Sequence, residues 1–598
     1  MWSGAPKAPP HEVEDSGTPT LDASRLAYCG LDWVDEDALR LVPILRRLTK
    51  LQTLDLSHNQ LSSATSAALA EYLRHNTSLT TLLLGGNEFG DACATGIAAA
   101  IRQNRHSKLM KLDLHGQRPW HLRPKDAADP GPPISGEAAA ALASTILGRR
   151  SLLHFSLNLE GAWLPLVQLQ GVGYLETLDL SCSQLGVPSL VVIAKCLETN
   201  SWLKRLSLRQ NRIGAEGAKV LGDTLVANRT LNALDVAMNE LGVAGALEIG
   251  NALSLNRSIT WLDLSRNAIG ARGARALAGR LKSCRSLTEV DLTLNGFGAE
   301  GWCAVFDTLR GSFYNVAAAA AAATGSANAL ALAAGTVAPS RIAAWGLHNQ
   351  GLTAVVAASL AGHVATSGSV TKLNLGRNKL GPEGGRALAR AVRASRSLRH
   401  LDLSHNQLGP EGARAVAEAL QASASVTLLD LDGNRIGAEG ASAVAEALLH
   451  SSALTSLSLA SNELCDIDIF GKGVRNADGV VALAAAVRAS ASLKSLIVKQ
   501  NSLGSTGAQV MGEALAANRS LTTVSLALNQ LCGRDAWGCG AYNSHGISAV
   551  AIAIRISGSE LGCLTSLDLA ANDLDERATA CINDAWHSLR LGSFKLEL

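Results

Sequence analysis

The chain lacks any compositional bias that would identify its partner. Of its 598 residues, 53 are basic and 51 are acidic, so the net charge is only +2. Such a balance gives no electrostatic reason to expect nucleic acid or an anionic membrane as the partner. Aromatic residues make up only 4% of the chain. We therefore expect a core of interlocking aliphatic side chains rather than a few large aromatic anchors.

Paired cysteine motifs and a secretory leader are also missing. The 11 cysteines are an odd number and include no C-x-x-C pair, which favours reduced thiols in the cytosol or nucleus. The start of the chain contains four prolines and an acidic run, without the apolar stretch of a signal peptide. We interpret residues 1–20 as a disordered tail and expect a cytoplasmic protein.

One uncharged stretch raises the question of a membrane span. No charged residue lies between Arg310 and Arg341, and residues 317–323 are seven consecutive alanines. Alanine, glycine, serine and threonine gain little from lipid, and the stretch contains only two leucines. We interpret residues 312–340 as a low-complexity insertion and expect no membrane association.

A repeat dominates the rest of the sequence. Consecutive units read LKRLSLRQNRIG from Leu203, LNALDVAMNELG from Leu231 and ITWLDLSRNAIG from Ile259, with the frame L-x-x-L-x-L-x-x-N-x-L-G. Seventeen such units begin between Leu51 and Leu564, and ten of the sixteen intervals between their Asn positions equal the 28-residue spacing of these three. A regular period of this length predicts a solenoid of stacked repeats rather than several globular domains.

Each repeat combines two periodicities. The apolar residues alternate in Leu206-Ser-Leu208, as in a strand, but recur three and four residues apart after Gly214, as on one face of a helix. The helix ends at Asn or Ser, and we expect Asn228 and its counterparts to adopt the left-handed conformation that ends many helices. Several of these asparagines lie in N-x-S/T sequons, but their shared position favours capping over glycosylation.

The two halves of the repeat have unequal widths. Neighbouring strands lie about 4.8 Å apart, whereas neighbouring helices need roughly 8–10 Å. Two layers with unequal spacing must bend. The predicted fold is therefore an α/β horseshoe solenoid, with a parallel β-sheet on the concave face and α-helices on the convex face.

The repeat resembles the ribonuclease-inhibitor type of leucine-rich repeat. The segments LGPEGARAVAEAL after Asn406 and IGAEGASAVAEAL after Asn434 carry the resemblance, which covers about residues 21–598. The same type forms the C-terminal arrays of NOD-like receptors and the body of Ran GTPase-activating protein. The resemblance implies a leucine-rich-repeat horseshoe and an Asn that hydrogen-bonds the backbone where each strand turns outward. The chain lacks the P-loop of the receptors, and it ends in FKLEL rather than in the acidic tail of the Ran activators.

The predicted domain organisation follows the repeat and its interruption. Residues 1–20 form the tail, and residues 21–311 comprise an N-terminal cap and a first leucine-rich-repeat block. Residues 312–340 are the Ala-rich insertion. Residues 341–598 form a second repeat block and a C-terminal cap.

No motif in the sequence supports catalysis. The glycines at 296, 298 and 301 match G-x-G-x-x-G, but the last two are ordinary repeat positions. His400, Asp402 and His405 form at best an incomplete zinc site. We therefore expect a monomeric, non-enzymatic scaffold that binds protein partners, without a cofactor or metal. The alternatives are a GTPase-activating protein of the Ran type and an architectural component of a large assembly such as a flagellar complex.

Trp261 is the first candidate for partner binding. It occupies a strand position that faces the concavity, where large exposed aromatic residues are common binding hot spots. The ribonuclease inhibitor is similar in using aromatic residues on its concave face.

A column of aspartates is the second candidate. Asp235, Asp263 and Asp291 occupy the position between the two strand leucines in three successive repeats, and Arg209 and Arg266 lie close to the same column. The column is either a habit of the repeat or a charged stripe that steers a basic partner.

Two insertions form the third candidate. Eleven extra residues follow Leu464 and another eleven follow Leu531, and they bring Phe470, Trp537 and Tyr542 to one edge of the solenoid. Loops of this kind often carry function on repeat scaffolds, although they also tolerate drift without function.

We predict that residues 312–340 are dispensable for folding. Asn295 and Gln350 hold the Asn position in the units on either side of the segment, and the interval between them is about twice the repeat period. About one extra repeat length therefore lies between these two units. A chain without the segment should keep its helical content per residue in circular dichroism and should still unfold cooperatively. A collapsed or aggregated deletion product would show that the segment belongs to the core.

Overall fold

The computed structural model describes residues 23–117, 134–147, 152, 154–156, 163–171, 174–310, 341–467, 476–532, 542–557, 563–589 and 594–598. These residues contain 20 short strands and 18 helices. They divide into two compact parts, here named the N-terminal body (residues up to 269, with 284–287) and the C-terminal body (residues 270–283 and 288–598). The predicted tail, the Ala-rich insertion, Phe470 and Trp537 lie outside the described residues, and the predicted domain boundaries remain a prediction.

The N-terminal body contains a six-stranded sheet, β1 to β6, followed by the parallel strands β7 to β10. Its elements are β1 (Arg25–Ala27), α1 (Asp35–Leu45), β2 (Thr53–Asp55), α2 (Ser63–His75), β3 (Thr81–Leu83), α3 (Asp91–Gln103), β4 (Lys111–Asp113), α4 (Gly136–Leu147), β5 (His154–Ser156), β6 (Leu164–Pro165), α5 (Leu166–Leu169), β7 (Thr177–Asp179), α6 (Val187–Thr199), β8 (Arg205–Ser207), α7 (Gly214–Ala227), β9 (Ala233–Asp235), α8 (Gly242–Leu255) and β10 (Trp261–Asp263).

The C-terminal body contains ten strands, β11 to β20, paired in sequence order. Its elements are α9 (Gly270–Ser283), β11 (Glu289–Asp291), α10 (Gly298–Arg310), β12 (Ala344–Gly346), α11 (Ala354–Ser367), β13 (Lys372–Asn374), α12 (Gly381–Ala394), β14 (His400–Asp402), α13 (Gly409–Gln421), β15 (Leu428–Asp430), α14 (Gly437–His450), β16 (Ser456–Ser458), α15 (Asp478–Ala489), β17 (Ser495–Ile497), α16 (Gly504–Ala517), β18 (Thr523–Ser525), α17 (His545–Ser557), β19 (Ser566–Asp568), α18 (Glu576–His587) and β20 (Lys595–Glu597).

The predicted repeat of strand, turn and helix is confirmed. Leu206 pairs in parallel register with Leu178 on one side and Leu234 on the other, and all three side chains are buried. On the following helix, Leu221 and Leu225 are buried, as the spacing of the apolar residues predicts. Strand and helix therefore share one core of leucine and alanine between the two layers.

The recurring geometry of the turn depends on a buried asparagine. The side-chain amide of Asn267 donates to the carbonyls of Leu264 (2.9 Å), in its own repeat, and Val236 (2.9 Å), in the preceding repeat. Its carbonyl oxygen accepts from the backbone N–H of Asn239 at 2.9 Å. Asn239 makes the equivalent contact with the backbone N–H of Asn211 at 2.8 Å. We name this chain of contacts the turn ladder, and it confirms the hydrogen-bonding role expected for the repeat Asn.

A second asparagine ladder lies at the helix ends, where our prediction of a left-handed conformation was wrong. Asn228 ends α7 with φ −70° and ψ 135°, which is extended backbone. Its side-chain amide donates to the carbonyl of Leu197 at 2.9 Å, in the preceding repeat, and its side-chain oxygen accepts from the N–H of Leu231 at 2.8 Å. The side chain thus satisfies the helix end, so the backbone has no need of the left-handed turn. Asn228 is also buried, which supports the structural interpretation of its sequon.

One strand departs from the predicted parallel order. β6 pairs with β5 in the antiparallel direction, with His154 opposite Pro165 and Phe155 opposite Leu164. The repeat that begins at Leu152 is shorter than the usual period, because the next one already starts at Leu175. It has no room for a strand, a turn, a full helix and a return, and the one helix described within it is the short α5.

The repeat register continues on both sides of residues 311–340. Within the C-terminal body, β11 pairs in parallel with β12, with Glu289 opposite Ala344 and Val290 opposite Trp345. Among the described helices, none has the length and apolar character needed to cross a bilayer.

An aromatic cluster fills the space between α10, β12 and α11. The ring of His363 lies 6.2 Å from that of Phe306 and 6.0 Å from that of Trp345, measured between centroids. His363 is buried, and neither of its ring nitrogens has a hydrogen-bond partner among the residues that the structure describes. Burial lowers the pKa of His363 to about 4 because the apolar surroundings disfavour the imidazolium.

Asn267→Ala should lower the free energy of unfolding by about 1–3 kcal/mol, because it leaves buried backbone groups of two repeats unpaired. The midpoint of urea denaturation measures the loss. Asn232→Ala is the control, since Asn232 lies directly before β9 and is only half-buried. Equal midpoints for the two variants would show that the turn is satisfied without the Asn267 side chain.

His363 should make the protein less stable in mild acid. Its folded pKa lies below its unfolded value, so the unfolded chain takes up the proton first. Protonation of His363 leaves the free energy of unfolding unchanged above about pH 6.5. It lowers that free energy by about 3 kcal/mol as the pH drops towards 4. His363→Leu should remove this part of the pH dependence in denaturation curves, whereas His450→Gln, at an exposed site, should not. Parallel losses of stability in the wild type and His363→Leu would contradict the assignment.

Candidate partner-binding surface

Three neighbouring strands of the N-terminal body bring the strongest sequence candidates together. Their register places Arg205, Ala233 and Trp261 in one row across β8, β9 and β10. The last row on the same strands contains Asp235 and Asp263. We name this surface the strand face. It is the part of the N-terminal body where an aromatic side chain, two carboxylates and arginines lie on one paired backbone.

Trp261 is half-buried on this face. Its partner in the register, Ala233, is small and buried. Among the described strands of the N-terminal body, no other carries a tryptophan at this position. A half-buried indole on a paired strand offers a large apolar surface that loses little rotational freedom when it is covered.

The recurring aspartates have a structural task. One carboxylate oxygen of Asp235 accepts from the backbone N–H of Ala237 at 2.9 Å, and Asp263 accepts from Ser265 at 2.8 Å. Asp291, on β11 of the C-terminal body, accepts from Thr293 at 2.8 Å. This contact closes the turn directly after each strand and gives a physical reason for the recurrence. The same contact to the residue two positions later occurs at Asp55, Asp113, Asp179, Asp402, Asp430 and Asp568.

The charges on the strand face are partly compensated. A guanidinium nitrogen of Arg209 lies 3.7 Å from a carboxylate oxygen of Asp263, and Asp263 is 9% exposed. The second Asp235 oxygen accepts from the Ser207 hydroxyl at 3.3 Å, and Asp235 is half-buried. Arg266 is exposed in the turn after β10. Asp235 is therefore the more accessible carboxylate of the pair, and Asp263 is held by Arg209.

Only one of the three aromatic residues predicted in the loop insertions lies within the described residues. The hydroxyl of Tyr542 donates to the carboxylate of Asp575 at 3.0 Å, and Asp575 also accepts from the N–H of Ala578 at 2.8 Å at the start of α18. Burial, followed by the nearby Asp575 carboxylate, raises the pKa of Tyr542. This contact ties the end of the loop to the next repeat, which is a structural role that its sequence position did not indicate.

The sequence did not indicate a carboxyl cluster that Asp402, Asp430 and Asp432 form at the ends of β14 and β15 and in the turn after β15. Burial raises the pKa of Asp430 and of Asp432, and the nearby charge of Asp402 adds to both increases. Asp432 accepts from the Ser458 hydroxyl at 2.5 Å and from the N–H of Ala460 at 2.7 Å. The signal was the second aspartate in LDLDGN, where the preceding repeat has a serine. In the part of the chain that the structure describes, no group of three or more His, Cys, Asp or Glu side chains is arranged to hold a metal ion.

Comparison with known families identifies the repeat. The matching family model is described as "Leucine Rich repeat", and it matches nine stretches of the chain: residues 47–64, 75–98, 199–222, 227–250, 255–278, 283–302, 367–389, 394–417 and 422–445. The chain carries leucine-rich repeats. Together with the alternating parallel strands and helices, this match confirms the predicted α/β leucine-rich-repeat solenoid.

Other comparisons add little about the function of this leucine-rich-repeat protein. No curated protein sequence matches it. Among solved structures, one similar chain is "Leiomodin-1 Actin-Binding Site 2 (ABS2)", at 21% sequence identity. The alignment covers 27% of this chain and 96% of that chain, with a TM-score of 0.22. A similarity this low supports no statement about partners.

Proposed function

We propose that this leucine-rich-repeat protein is a non-enzymatic, cytoplasmic scaffold that binds a protein partner through the strand face around Trp261. The observation that carries the proposal is a half-buried tryptophan on paired, parallel strands, with Asp235, Asp263 and Arg209 beside it. Leucine-rich repeats generally serve as interaction domains, and the family match therefore favours binding over catalysis.

Rigidity supports this function. Two sets of contacts hold the backbone beneath Trp261. One is the turn ladder, through Asn239 and Asn267, and the other is the pairing of β9 with β10. A preorganised surface loses little conformational entropy on binding, so more of the contact energy contributes to affinity. The indole supplies apolar area, and the accessible charge of Asp235 favours a basic rim on the partner.

The finer assignment to the ribonuclease-inhibitor type is part of the same proposal. The 28-residue period and the hydrogen bonds of the repeat Asn support it. So does the Gly-x-x-Gly pattern at the helix start, where Gly409 has φ +63° and a Cβ on Gly412 would approach Leu408 to 3.0 Å. Resemblance to the repeat arrays of NOD-like receptors belongs to this level of the proposal as well.

Trp261→Ala should weaken binding of the partner by about 2 kcal/mol, or roughly 30-fold, without loss of fold. The partner is first isolated by affinity capture with the wild-type chain and mass spectrometry, and its affinity is then measured by calorimetry. Trp586→Ala is the matched control, because Trp586 is 38% exposed on helix α18. Unchanged affinity of a well-folded Trp261→Ala variant would rule out the strand face as the binding site.

A further inference from the structure

A row of exposed arginines follows the helix ends of the N-terminal body. Arg229, Arg257 and Arg285 occupy the same position in three consecutive repeats, each directly after the residue that ends the helix. All three side chains are exposed. None has a carboxylate within ion-pair distance among the described residues. The row is therefore a source of uncompensated positive charge on the edge where helices return to strands.

Capping of the helix ends explains only part of this row. Arg257 donates to the carbonyls of Ser254 (3.2 Å) and Asn256 (3.4 Å) at the end of α8, where the helix dipole favours a cation. Arg519 of the C-terminal body makes the same two contacts, with Ala516 at 2.9 Å and Asn518 at 3.1 Å. Arg519 thus reproduces the capping role at a different place and provides a matched control.

Trp202 departs from a hydrogen-bond pattern that the following repeats show on the same edge. In the following repeats, a hydroxyl close to this position donates to the helix-end carbonyl of the preceding repeat. Thr230 does so to Asn200 at 3.1 Å, and Ser258 does so to Asn228 at 3.4 Å. Tryptophan has no hydroxyl with which to make this contact, and the side chain of Trp202 is instead 44% exposed.

Tyr174 joins Trp202 in an exposed aromatic pair. The two rings meet edge to face with their centroids 4.5 Å apart, and Tyr174 is 70% exposed. Its backbone has φ +59°, in the left-handed region that is unfavourable for a bulky residue. Folding gains little from an exposed tyrosine in this conformation, so the pair points to a ligand.

The local charges identify the kind of ligand. The nearby acids are already paired, Glu176 with Lys204 and Glu198 with Lys195. What remains is an apolar pair, Tyr174 and Trp202, at the helix-to-strand returns that immediately precede that of Arg229 in repeat order. The complementary partner is acidic and carries one large apolar side chain.

We propose that Tyr174, Trp202, Arg229, Arg257 and Arg285 bind an acidic, extended segment of a partner protein. Three repeat steps of about 5–10 Å each give a span of roughly 15–30 Å. An extended chain covers that span with about five to nine residues. Its apolar side chain packs on the aromatic pair, and its carboxylates meet the arginines. This surface lies on the edge rather than on the strand face, so it extends the proposed function to a second partner chemistry.

Nucleic acid also combines negative charge with groups that stack on aromatic rings. Its binding draws mainly on a broad basic surface, whereas this chain has a net charge of +2 and three arginines at this edge. The observations therefore favour a protein segment, and an oligonucleotide serves as one arm of the test.

Fluorescence polarisation with the full chain tests the proposal. The probe is the fluorescein-labelled peptide GEDEWEDEDG, and the comparison probes are its Trp→Ser form, its Gln/Asn form without acidic residues, and labelled dT12. We expect saturable binding of the first peptide with a dissociation constant of about 10–100 μM at about 50 mM NaCl, weakening with salt. The Trp→Ser peptide, the Gln/Asn peptide and dT12 should each bind at least about tenfold more weakly than the first peptide.

Variants separate binding from folding. Trp202→Ala and Arg257→Glu should each weaken peptide binding about tenfold, whereas Arg519→Glu should leave it unchanged. Tyr174→Gly relieves the left-handed backbone, so it should retain or increase stability while it weakens binding. Trp261→Ala should not affect the peptide, which keeps this test independent of the strand face.

Several results would overturn the proposal. These are the absence of saturable peptide binding, equal losses in Arg519→Glu and Arg257→Glu, full binding by Tyr174→Gly, or tighter binding of dT12 than of the acidic peptide.

Discussion

The structure depends on one interaction, the hydrogen bonding of a buried asparagine side chain at the turn of the repeat. A strand that turns outward exposes backbone N–H and C=O groups inside the protein, and unpaired buried groups of this kind are costly. Asn239 and Asn267 solve this for two repeats at once, because each side chain serves its own turn and the turn before it. The amide of asparagine has both a donor and an acceptor, which an ionised aspartate or a leucine of similar size lacks. Stacking therefore fixes the turn, and the turn fixes the start of the next helix.

The helix ends follow the same logic with more chemical freedom. Asn228 and Asn256 reach back to the preceding repeat through their amides, and Ser395 uses its hydroxyl to accept from the N–H of Leu398 at 3.1 Å. Serine can replace asparagine here because a following hydroxyl also bonds to the preceding repeat, as that of Ser397 does to the carbonyl of Val370 at 2.9 Å. Two ladders, one at each end of the strand, hold consecutive repeats together more firmly than the short strands could alone.

A backbone supported in this way leaves its surface positions free for binding. The aspartates after the strand leucines are used mostly to close turns, so their recurrence says little about a partner. The informative residues are those that depart from the repeat pattern without taking on a structural role. Trp261 replaces the small or polar residues at this position in the other parallel strands of the N-terminal body, and Trp202 occupies the position at which Thr230 and Ser258 of the following repeats bond to the repeat before them. His363 is a different departure, because its burial among aromatic rings costs stability in acid and offers no accessible surface.

The sequence by itself determined the period, the alternation of strand and helix, the buried leucines and the asparagine of the turn. These features follow from patterns contained within a single repeat, so the pattern of one repeat predicts the structure of the next. Only the tertiary structure decided how the helix ends are satisfied, that β6 runs antiparallel, and that Tyr542 bonds to Asp575. It also decided that Tyr174 and Trp202 meet. Each of these depends on a contact with a neighbouring repeat or on a repeat of irregular length. A local pattern contains no information about which side chains the stacking brings into contact.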